Sequence, residues 1–257
     1  MIDEKKFNRV FSTVLMSLMA VAIIVTACFK FEDLRGDTHG IVMLALASVA
    51  SMTGVISTVL SANGAIMTFI FGTLNAVLVA AVALDNGIMG NFALHAFYFL
   101  PMQFVGIWQW RRRGAGISGK GEKEKSQVQA RRMTPRLRIV VALALVAATA
   151  VAYFVLCRID GTTGSFNGKA FLDAAVFTFN VGGQVLMSFA YMEQWVLWNL
   201  VNISSIGLWG YTTWGADGAS GYTIVMFIKY CFYFVNSLNG LRIWLNLSKP
   251  RQNDEFA

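Results

Sequence analysis

Charge, proline, cysteine and histidine are all scarce in this sequence, and each scarcity excludes something. Only 14% of the 257 residues are charged, against about 25% in a soluble domain. The three cysteines, Cys28, Cys157 and Cys231, are an odd set inside apolar runs. They read as small buried hydrophobes, not as a disulfide framework. The two histidines, His39 and His95, lie far apart. No His/Glu spacing suits a metal, and no nucleophile stands beside a base, so neither an enzyme nor a cofactor is expected. Acids are missing from the middle of the apolar runs: Asp85, Asp173 and Glu193 all fall near their ends. No secretory cleavage pattern follows the first run, which is expected to continue into further spans.

What is present is apolar. Hydrophobic residues make up 56% of the chain, and the mean hydropathy is +0.56, so the chain reads as a polytopic membrane protein. Eight apolar segments stand at roughly 10–28, 41–60, 65–84, 91–110, 139–157, 170–190, 195–214 and 222–246. Most are separated by short connections such as Ser61–Gly64 and Asp85–Gly90. The connection at 111–138 differs, with ten Lys/Arg against Glu122 and Glu124. The positive-inside rule puts it in the cytoplasm, and eight spans then put both termini there too. Inside segments hold fifteen Lys/Arg and outside segments four, with Lys229 and Arg242 left in the last span. The net charge of +7 therefore reports membrane orientation. A nucleic-acid partner is not expected, because the basic run lacks interleaved aromatics.

The run from Glu193 to Trp209 organises the rest. No charge occurs between Glu193 and Asp217, yet the run holds amides and tryptophans. Trp195, Trp198, Asn202, Ser205 and Trp209 follow i, i+3, i+7, i+10, i+14 spacing and share one helix face. Indole planes and an amide on one stripe inside lipid suggest a helix facing something polar and flat. Trp at a helix end is also a common interfacial anchor, but Asn202 and Ser205 lie deeper, which favours a polar cavity.

The chain also repeats itself. Segments 95–112 and 229–246 align without gaps, setting Gly106 on Gly240, Trp110 on Trp244 and Gln103 on Ser237. The preceding helices align with Asn75 on Asn202 and Phe71 on Trp198. The expected fold is an all-α membrane protein of eight transmembrane helices: a 3+1+3 parallel repeat preceded by one extra N-terminal helix. Its parts would be an N-terminal helix and outer loop at 1–40, repeats at 41–110 and 170–246, a basic loop with linker helix at 111–169, and a tail at 247–257.

The motifs Glu193-x-Trp195-x-x-Trp198-x-x-x-Asn202 and Leu238-Asn239-Gly240-x-Arg242-x-Trp244 resemble those of the PnuC family of nicotinamide riboside transporters. So do Phe71-Gly72-x-x-Asn75 and Gln103-x-x-Gly106-x-x-x-Trp110 in the first half. The resemblance spans about 41–248. It implies a fold like a full-length SWEET transporter, a homotrimer, and nicotinamide riboside moving by facilitated diffusion until a cytoplasmic kinase traps it. A carrier of another vitamin or of a sugar on the same fold is the alternative.

The chemistry agrees with such a cargo. A pyridinium ring is attracted to indole faces, and a carboxamide and ribose need the donors and acceptors that Asn202, Gln194 and Gln103 supply. Asn199, Asn236, Asn239 and Tyr98 are further candidates for substrate contact, though membrane amides also serve as glue between helices. Gly106 and Gly240 are expected to permit close packing, beside Trp110, Trp244 and Asn75. Lys229 either snorkels to the outer interface, serves function, or pairs with Asp173; the pair is preferred. His95 reads as a packed, hydrogen-bonded side chain. Glu193 either caps its helix electrostatically, the preferred reading, or belongs to a cytoplasmic gate. With no acid deep in the spans, uncoupled transport by rocking of the two repeats is expected. With no deep basic cluster, a phosphorylated cargo should be rejected.

Overall fold

The computed structural model describes residues 4–87, 89–116, 127–159, 161–162, 164–215 and 221–249. Among these residues the chain is helical, and β-structure is limited to two isolated bridges. The helices are α1 (Glu4–Asp33), α2 (Thr38–Ala62), α3 (Thr68–Asp85), α4 (Met89–Leu94), α5 (Leu100–Arg112), α6 (Pro135–Ile159), α7 (Gly168–Ser188), α8 (Gln194–Trp214) and α9 (Gly221–Leu247). A π-helical turn, His95–Phe99, joins α4 to α5 into one rod, so each expected segment has its helical rod. Asp37 and Asn167 start α2 and α7 by accepting the N–H groups of Gly40 and Ala170, as good N-caps do.

Five helices are long and apolar enough to cross a membrane by length and composition: the Lys6–Phe31 part of α1, then α2, α3, α6 and α7. The other rods carry all seven tryptophans and several of the amides. Cys28 lies exposed on α1, whereas Cys157 is buried; the expectation that all three cysteines are buried does not hold, because that face of α1 meets no other helix. α1 and α6 turn apolar side chains such as Val14, Val21, Leu143 and Val146 outward, as suits lipid-facing helices.

The π-turn was not expected, and Pro101 explains it. Proline has no N–H to offer the carbonyl four residues back, and its ring crowds that carbonyl. The turn widens by one residue, so that Leu100 donates to His95 O, and the rod stays continuous.

Six rods form a closed circuit. α2 packs on α3, α3 on α5, α5 on α7, α7 on α8, α8 on α9, and α9 back on α2. Outside it, α6 packs on α7, and α1 packs on α2 and α9. A regular ring of six helices spaced about 9 Å apart leaves an axial space about one helix wide. Side chains fill that space at the end where residues 127–134 run.

There the two halves repeat each other bond for bond. In the first half Gly64 N donates to Ser61 O, Ala65 N to Leu60 O and Phe69 N to Ile66 O. In the second, Ala190 N donates to Met187 O, Tyr191 N to Leu186 O and Trp195 N to Met192 O. Gly64 and Ala190 share a left-handed backbone, with φ of 66° and 58°; the alanine holds this conformation without glycine's freedom. Phe69 therefore answers to Trp195 and Gly72 to Trp198. This is one residue out of step with the sequence alignment, because matching Asn75 to Asn202 ignored the common turn.

The halves also exchange bonds. Trp110 Nε1 donates to Met187 O at 2.8 Å, and Trp244 Nε1 donates to Ser61 O at 2.9 Å. Both indoles are fully buried. Their rings stand 5.4 Å apart, Phe69 lies 4.8 Å from Trp110, and Trp195 lies 6.3 Å from Trp244. A Cβ on Gly106 would run into the Phe69 ring, and one on Gly240 would come within 2.5 Å of Trp195. The two glycines let the outer rungs of this four-ring ladder lie against α5 and α9.

The ladder sets a stability order. Gly106→Ala should lower the thermal midpoint of the purified protein clearly, by overpacking worth about 1–3 kcal/mol, while Gly116→Ala, which meets nothing within 4 Å, should not. Equal midpoints for the two variants would show that the ladder is loosely packed.

Candidate functional site

The functional reading rests on where the two halves stop matching. In the first half, Ser57 Oγ donates to Thr68 O and Thr68 Oγ1 to Ser57 O, both at 2.9 Å. This reciprocal pair ties α2 to the start of α3. In the second half, Gly183 stands in the place of Ser57, and Gln194 in that of Thr68. The partner hydroxyl is gone, and the hydroxyl it would have met has become an amide. Gln194 is wholly buried, and neither its Oε1 nor its Nε2 has a hydrogen-bond partner among the described residues. Trp198 stands where the first half has Gly72. A Cβ on Gly183 would lie 3.2–3.3 Å from three atoms of the Trp198 indole, so the indole lies flat against the α7 backbone. Replacing a closed hydroxyl pair by a bare backbone, an indole face and an open amide creates a recognition surface at a point the fold does not need.

Other polar atoms of α8 are orphaned too: Trp195 Nε1 and, further along the helix, Ser205 Oγ and Thr213 Oγ1 are buried without partners among the described residues. Most hydroxyls on these helices turn back to the carbonyl four residues earlier, as Ser48, Thr53, Thr149 and Thr178 do. Ser205 does not. An unpaired buried donor or acceptor costs about 1–3 kcal/mol, so the two open atoms of Gln194 at the start of α8 mark a place built to meet polar groups from elsewhere.

The remaining candidate residues divide by use. Asn202 Nδ2 donates to Ser237 Oγ at 3.1 Å, and Ser237 Oγ donates to Asn199 Oδ1 at 2.8 Å. Asn199 Nδ2 returns to Trp195 O. This relay fixes α8 against α9, and Ser237 was not singled out from the sequence. Gln103 Nε2 donates to Phe99 O at 3.1 Å, and its Oε1 fills the space over Gly72. Other candidates hold helices together. Tyr98 Oη donates to Val181 O at 2.6 Å, Asn75 Nδ2 to Ala50 O at 2.6 Å, and Asn236 Nδ2 to Thr58 O at 3.4 Å. Asn239 Oδ1 accepts from Arg242, which also reaches Glu4 and Asn8 of α1. Gln184, buried on α7 and bonded to Ser188 Oγ, escaped notice; an amide inside a charge-free span was its signal.

The charged groups near the start of α8 are engaged with other partners. Glu193 makes no capping hydrogen bond to its own helix. Its Oε1 accepts from Met133 N at 3.0 Å and meets Arg138 Nη2 at 2.8 Å. Arg131 lies over the Tyr191 ring at 3.9 Å and donates to Phe189 O. Burial, with the charge of Arg131 next, lowers the pKa of the nearby Arg113. Lys229 Nζ is 5.5 Å from the centre of the Tyr233 ring, while Asp173 is exposed on α7. His95 Nδ1 is paired with Asn91 O at 2.9 Å. His39 and Asp85 join the starts and ends of α2 and α3 at 3.0 Å, a contact the sequence did not reveal. Among the described residues no three His, Cys, Asp or Glu side chains gather to hold a metal ion.

Residues 44–246 match the family described as nicotinamide mononucleotide transporter. The chain is 32% identical to a nicotinamide riboside transporter PnuC of Neisseria mucosa over 204 residues, 79% of this chain and 73% of that one. It is 29% identical to a nicotinamide riboside transporter PnuC of Haemophilus influenzae, covering 79% and 80%. In three dimensions it is similar to the crystal structure of a vitamin B3 transporter PnuC, with a TM-score of 0.65 and 30% identity over 94% of this chain and 91% of that one.

Gln194 offers a direct test of the site's cost. Gln194→Met keeps the volume and removes both orphaned atoms, so the unliganded variant should be more stable, by about 1–3 kcal/mol. An unchanged or lower thermal midpoint would mean that the amide is already satisfied.

Proposed function

The chain belongs to the PnuC family of nicotinamide riboside transporters, and from that membership and the site's geometry we propose that it carries nicotinamide riboside into the cell by facilitated diffusion. The observation that carries the reading is the divergence of the halves at Gln194, Trp198 and Gly183. Nicotinamide riboside is a flat cation with a carboxamide and a sugar. The half-buried indole of Trp198 attracts the pyridinium. The amide of Gln194 has both a donor and an acceptor open, as a carboxamide requires. Asn202, Ser205 and Gln103 continue the polar lining toward the ribose, with Trp195, Asn199, Asn236, Asn239 and Tyr98 holding the helices that form it.

The family is described by the mononucleotide and the relatives by the riboside, and the charge pattern favours the riboside. Arg131 and Arg138, which reach the residues just before α8, are committed to Tyr191 and Glu193. A phosphate beside Gln194 would be buried without a cationic partner, at several kcal/mol. Glu193, the carboxylate next to Gln194 in the chain, is engaged through Oε1 by Met133 N and Arg138 and lies at the helix start, not deep in a span, which supports uncoupled movement. A cytoplasmic kinase that phosphorylates the riboside would then keep it inside.

The circuit of helices supports a SWEET-like arrangement of two parallel three-helix repeats, 41–110 and 170–246, with α6 between them and α1 in front. Helix α1 lies on α2 as α6 lies on α7, so each repeat has one outer companion. The basic 111–138 connection and both termini face the cytoplasm in this reading, which puts the 127–134 crossing at the inner end. Lys229 and Asp173 both belong to the outer half in this reading. The homotrimer comes with the family resemblance, and the apolar faces left by the circuit serve lipid and neighbouring copies.

Binding to the purified protein tests the proposal. The riboside should bind, the mononucleotide should bind at least about 100-fold more weakly, given several kcal/mol of uncompensated phosphate burial, and Trp198→Ala should weaken riboside binding roughly tenfold, the loss of a desolvated cation–π contact. Equal affinities for riboside and mononucleotide, or full affinity in Trp198→Ala, would contradict it.

A further inference from the structure

The segment after the basic run is not a passive linker. Residues 127–134 cross the end of the ring, directly over the aromatic ladder, with Val128, Ala130 and Met133 buried. Val128 and Ala130 pack in the same core as Trp110, Trp195 and Trp244. The crossing pairs with both halves at equivalent points. Gln127 forms an antiparallel bridge with Ala65, and Val128 N donates to Gly64 O at 3.0 Å. Arg131 forms a parallel bridge with Tyr191, and its N donates to Ala190 O at 3.0 Å. Gly64 and Ala190 are the matched turn residues of the two halves. They are linked through the short stretch from Val128 to Arg131, whose full extension is about 10 Å. A chain so short cannot stretch, so the turns cannot separate unless one of these attachments breaks.

The attachments are unequal. On the second half the segment is held by Ala190, by Met192 N donating to Arg131 O, by Arg131 Nε on Phe189 O, by Glu193 on Met133 N and Arg138, and at the end of α9 by Ala130 N on Leu247 O, Gln129 Nε2 on Lys249 O and Arg132 on Ser248 Oγ and Leu245 O. It then runs into α6, which packs on α7. On the first half it is held by Gly64, by Gln127 Nε2 on Asn63 O, and by Gln129 N on Arg113 O.

We propose that residues 127–134 are the inner gate: a strap anchored to the second repeat through Glu193 that must part from the Asn63–Ala65 turn before cargo can leave. The inference rests on the transport reading and assigns it a moving part. Glu193 is thereby a positioning residue of the gate. It holds the strap to the first turn of α8, the turn that also carries Gln194 and Trp195, so strap and site are mechanically joined.

Two engineered cross-links separate the seam from the anchor. Residues paired across an antiparallel bridge have Cα atoms about 4.5–5.5 Å apart, and adjacent strands of either sense lie about 4.8 Å apart, within disulfide range. In liposomes, oxidised Ala65→Cys/Gln127→Cys should take up riboside at least tenfold more slowly than the same protein after reduction. Its riboside affinity in detergent should change less than about threefold. Oxidised Arg131→Cys/Tyr191→Cys, which pins only the anchor, should transport like its reduced form. Wild-type protein given the same oxidation controls for Cys28, Cys157 and Cys231. Full transport with the seam closed, or equal loss with either link, overturns the gate. Hydrogen exchange on the wild type provides a reading free of variants. Riboside should speed exchange at Val128 and Gln129 and leave Met133 protected; no change, or loosening at Met133 first, also overturns it. A wild type that takes up no riboside would overturn the transport reading and the gate with it.

Discussion

An indole N–H withdrawn from water costs free energy unless it finds an acceptor inside the protein. Trp110 and Trp244 each find theirs in the opposite half, at Met187 O and Ser61 O. That exchange is the constraint on which the rest depends. It joins the ends of α5 and α9 to the ends of α7 and α2, closes the helical circuit, and brings the rings of Phe69, Trp110, Trp244 and Trp195 into one row of edge-on and tilted contacts. Gly106 and Gly240 are needed only because this row must lie against backbone. The turns at Gly64 and Ala190 set its register, and the strap from 127 to 134 seals it.

Near-symmetry of this kind locates function by its failures. Where both halves satisfy their polar groups in the same way, the residues serve the fold. The halves part company beside the start of α8, where Ser57 and Thr68 give way to Gly183 and Gln194. Nothing in the packing of α7 on α8 calls for an amide with two unpaired atoms. The destabilisation it brings, about 1–3 kcal/mol per orphaned group, is intelligible as preorganisation for a ligand that supplies the missing partners.

Much of this was legible in the sequence for definite reasons. Hydrophobic length gave the spans, because the bilayer's thickness fixes how long an apolar helix must be. The Trp195, Trp198, Asn202 stripe was visible because helical periodicity puts spaced residues on one face. Periodicity could not say which members of the stripe were free. Asn202 and Asn199 are engaged by Ser237, and Trp195 is a rung of the ladder, whereas Gln194, off the regular spacing, carries the unpaired amide. The π-turn was hidden because Pro101 announces a disturbance but not its form. The strap was hidden by composition: ten basic residues in 111–138 drew attention from the alternation Val128, Ala130, which marks an extended segment with one buried face. Glu193 shows the same limit, since adjacency to a helix start suggested a cap, and its carboxylate instead holds Met133 and Arg138 across the chain.

The central claim is that the polar stripe at the start of α8, inside the helical ring, is where cargo is held. A structure determined with nicotinamide riboside bound measures this most directly. The account predicts the pyridinium ring against the Trp198 indole and the Gln194 amide paired with the ligand, with the Trp110–Trp244 contact unchanged beneath. Riboside lodged elsewhere, with Gln194 still unpaired beside an undisturbed Trp198, would contradict it.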